Sequence, residues 1–123
     1  MKAYILTRHG APSVLHASDV PAPEPKSGEV RVRLRAIGLN FAEVLSRKGL
    51  YGWAPKRPYI PGMEGAGEIE SLGAGVTGRR LGEPVIVGAQ HGCYAEYICV
   101  PAHQALPAIP EFTLHENAAF AVN

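Results

Sequence analysis

Hydrophobic and polar positions along the 123-residue chain switch between two periods, and the switches mark its elements. The clearest stretch is EVRVRLRAIG (29–38), where Val30, Val32, Leu34 and Ala36 alternate with Arg31, Arg33 and Arg35. Period two predicts a strand with one face buried and its arginine face in water. In NFAEVLSRKG (40–49) the period changes: Phe41, Val44, Leu45 and Lys48 fall at helical spacing, Asn40 suits an N-cap and Gly49 a stop. KAYILT (2–7), AGEIESLG (66–73), PVIVGA (84–89) and QALPAIP (104–110) read as short strands. HGCYAEYICVPA (91–102) alternates again, Tyr94, Glu96, Ile98 and Val100 against Cys93, Ala95, Tyr97 and Cys99, which puts both cysteines on one face of a predicted strand. PAPEPKSGE (21–29) is an extended connector, because its prolines break helices and lack ladder donors. LYGWAPKRPYIPG (50–62) is a proline-rich loop carrying three aromatics, and AGVTGRRLGE (74–83) is turn. TLHENAAFAVN (113–123) opens a helix, with Thr113 and Glu116 spaced as a capping box. The sequence stops just inside that apolar helix, so the expectation is a fragment that more protein once followed.

Glycine (14) and proline (11) are spread along the whole length, which argues for many short segments joined by turns and against a helical bundle. No strand–helix–strand alternation is present, so the predicted fold is mainly β: one domain, a small β-barrel with long irregular loops and one or two short helices. Formal net charge is +1, with no basic run interleaved with aromatics, so nucleic acid is not an expected partner. No apolar run approaches the roughly 18 residues of a membrane span, so no membrane partner is expected either. The N-terminus reads as a first strand and not a signal peptide. Two cysteines make no disulfide framework; they read as reduced thiols of a cytoplasmic protein.

The stretch PGMEGAGEI (61–69) packs three glycines into six positions beside a lone carboxylate. A dinucleotide fingerprint needs a third glycine at fixed spacing and a helix behind it. Here that glycine is absent and the following residues read as strand, so no helix N-terminus is offered to a phosphate. The glycines instead suit close backbone approach, or positive φ at a bend. Glu64 is either a surface residue or a buried carboxylate held by an arginine or by backbone N–H groups. The five histidines are scattered, and with two cysteines they give no zinc-ligand spacing, so no metal site is predicted.

Taken together and in order, MKAYILTRHGAPSVL, RVRLRAIGLNFAEVLSRKGLY, PYIPGMEGAGEIESLGAGVTG, GEPVIVGAQHGCYAEYICVPA and IPEFTLHENAAF resemble the N-terminal catalytic domain of the medium-chain dehydrogenase/reductase superfamily. Within it they look like the zinc-independent quinone oxidoreductases, the zeta-crystallin-like group. The resemblance implies a GroES-like, partly open β-barrel over 1–112. Residues 113–123 would then begin the helix leading to an absent nucleotide-binding Rossmann domain. Zinc-dependent members carry a cysteine where Asn40 stands, and Gly-His-Glu where this chain has Gly62-Met63-Glu64. A neutral amide and a thioether are poor zinc ligands, so the implied chemistry needs no zinc. It is hydride transfer from a nicotinamide cofactor, NADPH by family habit and held mostly by the missing domain, to a quinone or an α,β-unsaturated carbonyl (enone). The resemblance places Asn40 near the nicotinamide, orienting cofactor or substrate, and Tyr51 at the acceptor site as a possible proton donor. From the residues alone, Asn40 is equally a helix cap and Tyr51 equally a loop-packing residue. The implied whole protein is a cytoplasmic homodimer. The alternative function is a non-enzymatic GroES-like interaction or structural module.

Overall fold

Seven strands divide between two sheets in the computed structural model of the chain, which describes residues 1–122. Strands β1 (Lys2–Leu6) and β2 (Leu15–Asp19) pair antiparallel as a small hairpin. The main sheet is antiparallel, in the order β6-β3-β4-β5-β7. Its members are β3 (Glu29–Gly38), β4 (Glu64–Leu72), β5 (Pro84–Gly88), β6 (Tyr97–Pro101) and β7 (Ala105–Pro107). Helix α1 (Phe41–Lys48) links β3 to the 50–62 loop, and α2 (Leu114–Ala118) follows β7. Isolated bridges Ala3↔Ala95 and Leu6↔Tyr59 tie β1 to the segments that lead into β6 and β4, so the two sheets close toward each other as a partly open barrel.

The period-two pattern of β3 decides what the barrel encloses. Val30 and Val32 are fully buried against Ile69, Val85, Val87, Ile98 and Val100. The arginine face turns outward, and two of its three arginines meet carboxylates: Arg31 binds Glu70 at 2.5 Å and Glu24 at 3.2 Å, and Arg35 binds Glu68 at 2.7 Å. Arg35 is the extra residue of a β-bulge between the pairs Leu34↔Gly67 and Ala36↔Ala66. Its side chain is redirected there without breaking the ladder.

Two glycines of the 61–69 stretch lie inside β4, and their use is close approach. A Cβ on Gly67 would stand 1.8 Å from the Arg33 carbonyl oxygen, and one on Gly65 2.9 Å from Leu34. The third, Gly62, has φ +105° just before the strand. Both expected uses of glycine therefore occur, one on each side of Met63.

Some elements differ from the sequence expectation. β4 begins at Glu64, two residues earlier than its apolar pattern, because Gly65 carries no side chain to register in a periodicity. β2 was not expected, since its burial pattern shows no clean alternation and the main support is pairing with β1. The predicted 91–102 strand starts only at Tyr97. Cys93 lies before it, its N–H bonded to Gly62 O at 3.1 Å, so the two cysteines do not share a strand face. Cys93 is in the core and Cys99 is half-buried on β6.

Replacing Gly67 by Ala forces backbone atoms apart across β3 and β4, for a loss of about 3 kcal/mol or more in urea unfolding. Gly52→Ala, where a Cβ meets open space, stays within about 0.5 kcal/mol of the parent. Equal effects would refute the close-approach account.

Candidate functional site

Helix α1 is delivered to the barrel mouth by the end of β3, and Asn40 stands at its N-cap with extended backbone (φ −127°, ψ 153°). Glu43, one turn on, completes a capping box: its Oε2 accepts from the Asn40 N–H at 2.6 Å. This reciprocal arrangement satisfies helix-start donors that the helix itself cannot. The other oxygen of Glu43 accepts from the Met63 N–H at 3.0 Å. One carboxylate thereby fastens the start of α1 to the segment before β4.

Glu64 resolves the open alternative in favour of burial. It has no solvent-exposed surface. Its Oε1 accepts from the Asn40 amide Nδ2 at 3.0 Å, and its Oε2 accepts from the Val122 N–H at 2.8 Å. A buried carboxylate must be hydrogen-bonded to be tolerable, and among the described residues it is held by an amide side chain and a backbone N–H. Gly38, at the end of β3, makes room: a Cβ there would lie 2.3 Å from Glu64 Oε1. Asn40 thus touches both buried carboxylates, Glu43 through its backbone and Glu64 through its side chain.

The two carboxylates also act on their neighbours. Cys93 is pushed up to about 12, chiefly by burial and then by the charges of Glu43 and Glu64. Burial, Glu43 and Cys93 likewise raise Tyr94 to about 12. Burial is the first cause that raises Cys99 to about 11. None of these thiols is set up as a nucleophile, since reactivity follows the thiolate.

Tyr51 does not join the Asn40 network. It lies in the 50–62 loop, half-buried, on the wall between two cavities. One is a cleft of about 480 Å³ shared with Thr7, His9, Lys56 and Arg57. The other is a gap of about 10 Å³ that also touches Glu43, Tyr59 and Met63. The structure therefore puts Asn40 in the carboxylate network, while Tyr51 meets that network only through Glu43 and Met63, which line the small gap with it. Leu39 and Phe41, flanking Asn40, are 74% and 71% exposed and give it an apolar rim.

Residues absent from the sequence reading complete the site. Glu43 was legible in principle, because Asn40-x-x-Glu43 is a capping-box spacing. Tyr59 carried no signal; its hydroxyl is buried with no hydrogen-bond partner among the described residues, and its ring meets His91 edge-on at 5.8 Å. Among the described residues no three His, Cys, Asp or Glu side chains converge as a metal would require.

The alcohol dehydrogenase GroES-like domain family matches residues 26–111. The human synaptic vesicle membrane protein VAT-1 homolog is 40% identical over 126 residues, covering 100% of this chain and 32% of its own. The quinone oxidoreductase of Pseudomonas aeruginosa is 43% identical over 112 residues, covering 90% of this chain and 34% of its own. The quinone oxidoreductase of Thermus thermophilus, solved also as its complex with NADPH, superposes with a TM-score of 0.83 at 38% identity. That match covers 99% of this chain and 37% of that one. The chain spans about a third of the length of the curated relatives it matches.

Glu43→Gln leaves an amide N–H2 facing one of two backbone N–H groups, and is expected to lower unfolding free energy by about 1–3 kcal/mol; no change would mean that the two bonds carry nothing. Cys93 titrates near 9.0 when unperturbed and at about 12 here. A pKa raised by folding contributes stability that is complete below pH 9 and is lost as pH rises toward 12. Tm of the parent should therefore fall more steeply over pH 9–12 than that of Cys93→Ala, and identical slopes would exclude the coupling.

Proposed function

The chain belongs to the alcohol dehydrogenase GroES-like domain family, in the quinone oxidoreductase branch of the medium-chain dehydrogenases/reductases, and from that premise we propose that it is the acceptor-binding part of an NAD(P)H-dependent reductase of quinones or α,β-unsaturated carbonyls. NADPH is favoured because the Thermus relative was solved in complex with it. The observation that carries the reading is the donor set at the barrel mouth. Where the zinc-dependent pattern has Cys and His, this chain has Asn40 and Met63, and the Asn40 amide nitrogen is engaged with a buried carboxylate. An amide in that state and a thioether do not suit zinc, and no step is assigned to a metal.

The glycine-rich 62–67 stretch offers no cradle for a dinucleotide's phosphates. The glycines of 62–67 lead into and lie within β4, with no helix N-terminus behind them. Cofactor binding is therefore assigned to a domain beyond this sequence, and no step is derived through it. What the chain's own residues supply is positioning and proton supply. Quinones and enones are conjugated acceptors, so reduction needs less electrophilic help than a simple carbonyl, and hydrogen-bond donors at the developing oxyanion suffice. Asn40, fixed by Glu43 and Glu64, orients the reacting groups. Tyr51, on the cleft wall, donates a hydrogen bond or proton to the acceptor oxygen. The exposed rim of Leu39 and Phe41 suits a flat apolar acceptor.

A second reading, a non-enzymatic interaction module, is favoured by the human relative, whose name describes a synaptic vesicle membrane protein. No described helix is long and apolar enough to cross a membrane. Turnover separates the readings: a protein carrying this chain with a nucleotide-binding domain should reduce quinones or enones with NADPH or NADH, whereas the module shows no turnover with either.

In that protein Asn40→Ala should lower kcat/KM and raise the KM for cofactor; if both stay at parent values, the orienting role is wrong. Tyr51→Phe should lower kcat by about 10²-fold or more if the hydroxyl transfers a proton, with little change in acceptor KM. Calorimetry on the 123-residue chain should detect no micromolar NADPH binding; such binding would overturn the assignment of the cofactor to another domain.

A further inference from the structure

Charge in this chain is segregated in a way that its near-neutral total conceals. The segments TRHG (7–10) and SRKGLYGWAPKR (46–57) hold five of the 12 Lys and Arg residues, together with His9, and none of the 11 Asp and Glu residues. They are far apart in sequence and neither is a basic run. Folding joins them. The Gly10 N–H donates to Arg47 O at 2.9 Å, the Arg47 guanidinium donates back to Gly10 O, and the Leu6 N–H donates to Tyr59 O at 2.9 Å. His9 packs directly over Gly49, where a Cβ would fall 2.5 Å from its Nδ1.

Between the joined segments lies the cleft of about 480 Å³, with Thr7, His9, Tyr51, Lys56 and Arg57 on its walls. Elsewhere among the described residues, Lys2, Arg31, Arg35 and Arg79 each have a carboxylate within 4 Å, while Lys26, Arg33 and Arg80 do not. None of the five cations of the joined segments has such an ion pair among the described residues, and Lys56 and Arg57 share one concavity. Arg47 and Lys48 are accounted for by the last turn of α1, where cations complement the helix dipole. That dipole does not account for Lys56 and Arg57, which follow the helix and line the cleft. Like charges gathered around a concavity repel one another unless an anion sits among them.

We propose that this cleft is an oxyanion-binding site that takes the phosphate or carboxylate group of a small molecule. Lys56 and Arg57 supply the charge, and the hydroxyls of Thr7 and Tyr51 supply neutral donors. Arginine offers a planar fork matched to either group and lysine a compact point charge. The site shares Tyr51 and its cleft with the acceptor site proposed above but does not rest on hydride transfer: an oxyanion can bind there whether or not the chain belongs to a reductase.

The test is a titration of the 123-residue chain with inorganic phosphate, and separately with acetate, at constant ionic strength, followed by backbone amide chemical shifts. Saturable shifts confined to Thr7, His9, Gly49, Tyr51 and Arg57 are expected with at least one of the two anions. Lys56→Gln with Arg57→Gln should weaken that binding by about tenfold or more, whereas Lys26→Gln with Arg80→Gln, the same charge change at exposed positions elsewhere, should leave it unchanged. Shifts that never saturate, that spread to every basic residue, or that respond equally to both double variants would overturn the site. A co-sedimentation arm separates the sources of phosphate: binding to vesicles containing anionic phospholipid, without any saturable response to free phosphate or acetate, would overturn the small-molecule assignment in favour of a membrane surface.

Discussion

Two buried carboxylates set the conditions for everything at the barrel mouth. Glu43 is 7% exposed and Glu64 not at all, and a carboxylate taken out of water must find donors or be lost to desolvation. Each finds them on different segments. Glu43 draws on the start of α1 and the segment before β4; Glu64 draws on Asn40 and on the backbone at Val122. The network is therefore a clasp joining three parts of the chain. Asn40 hydrogen-bonds both members.

Space for the clasp comes from glycine. Gly38 makes room for the Glu64 side chain, and Gly67 lets β3 and β4 approach where Arg33 O would strike any Cβ. A motif that looks at first like a phosphate loop is thus a steric device. It lets a buried acid sit beneath a helix cap at the edge of the sheet. The same geometry orders the Asn40 amide beside the exposed side chains of Leu39 and Phe41, which is the arrangement the proposed orienting role draws on.

The two local periods made most of the fold legible. β3 was readable because its valines and arginines alternate, and α1 because Asn40 and Gly49 bracket a helical spacing. β2 was not, since its pattern lacks clean alternation and its pairing with β1 is a contact between segments. The 91–102 alternation ran past the true start of β6, because Cys93 is buried by packing beneath Gly62 and not by strand register. At the site, Asn40 and Tyr51 stood out only through resemblance. Glu43 was present as a cap spacing and went unused, and Tyr59 offered no pattern at all.

By itself the sequence determined the mainly β architecture and the position of the cap at Asn40, both properties of residue type and short spacing. Only the tertiary structure decided that Glu64 is buried and what holds it. It alone brought Thr7 and His9 to one cleft with Lys56 and Arg57. Burial and electrostatic clustering depend on which distant segments meet, and that is fixed by the bridge of Leu6 to Tyr59 and the closure of the two sheets, which no local period encodes.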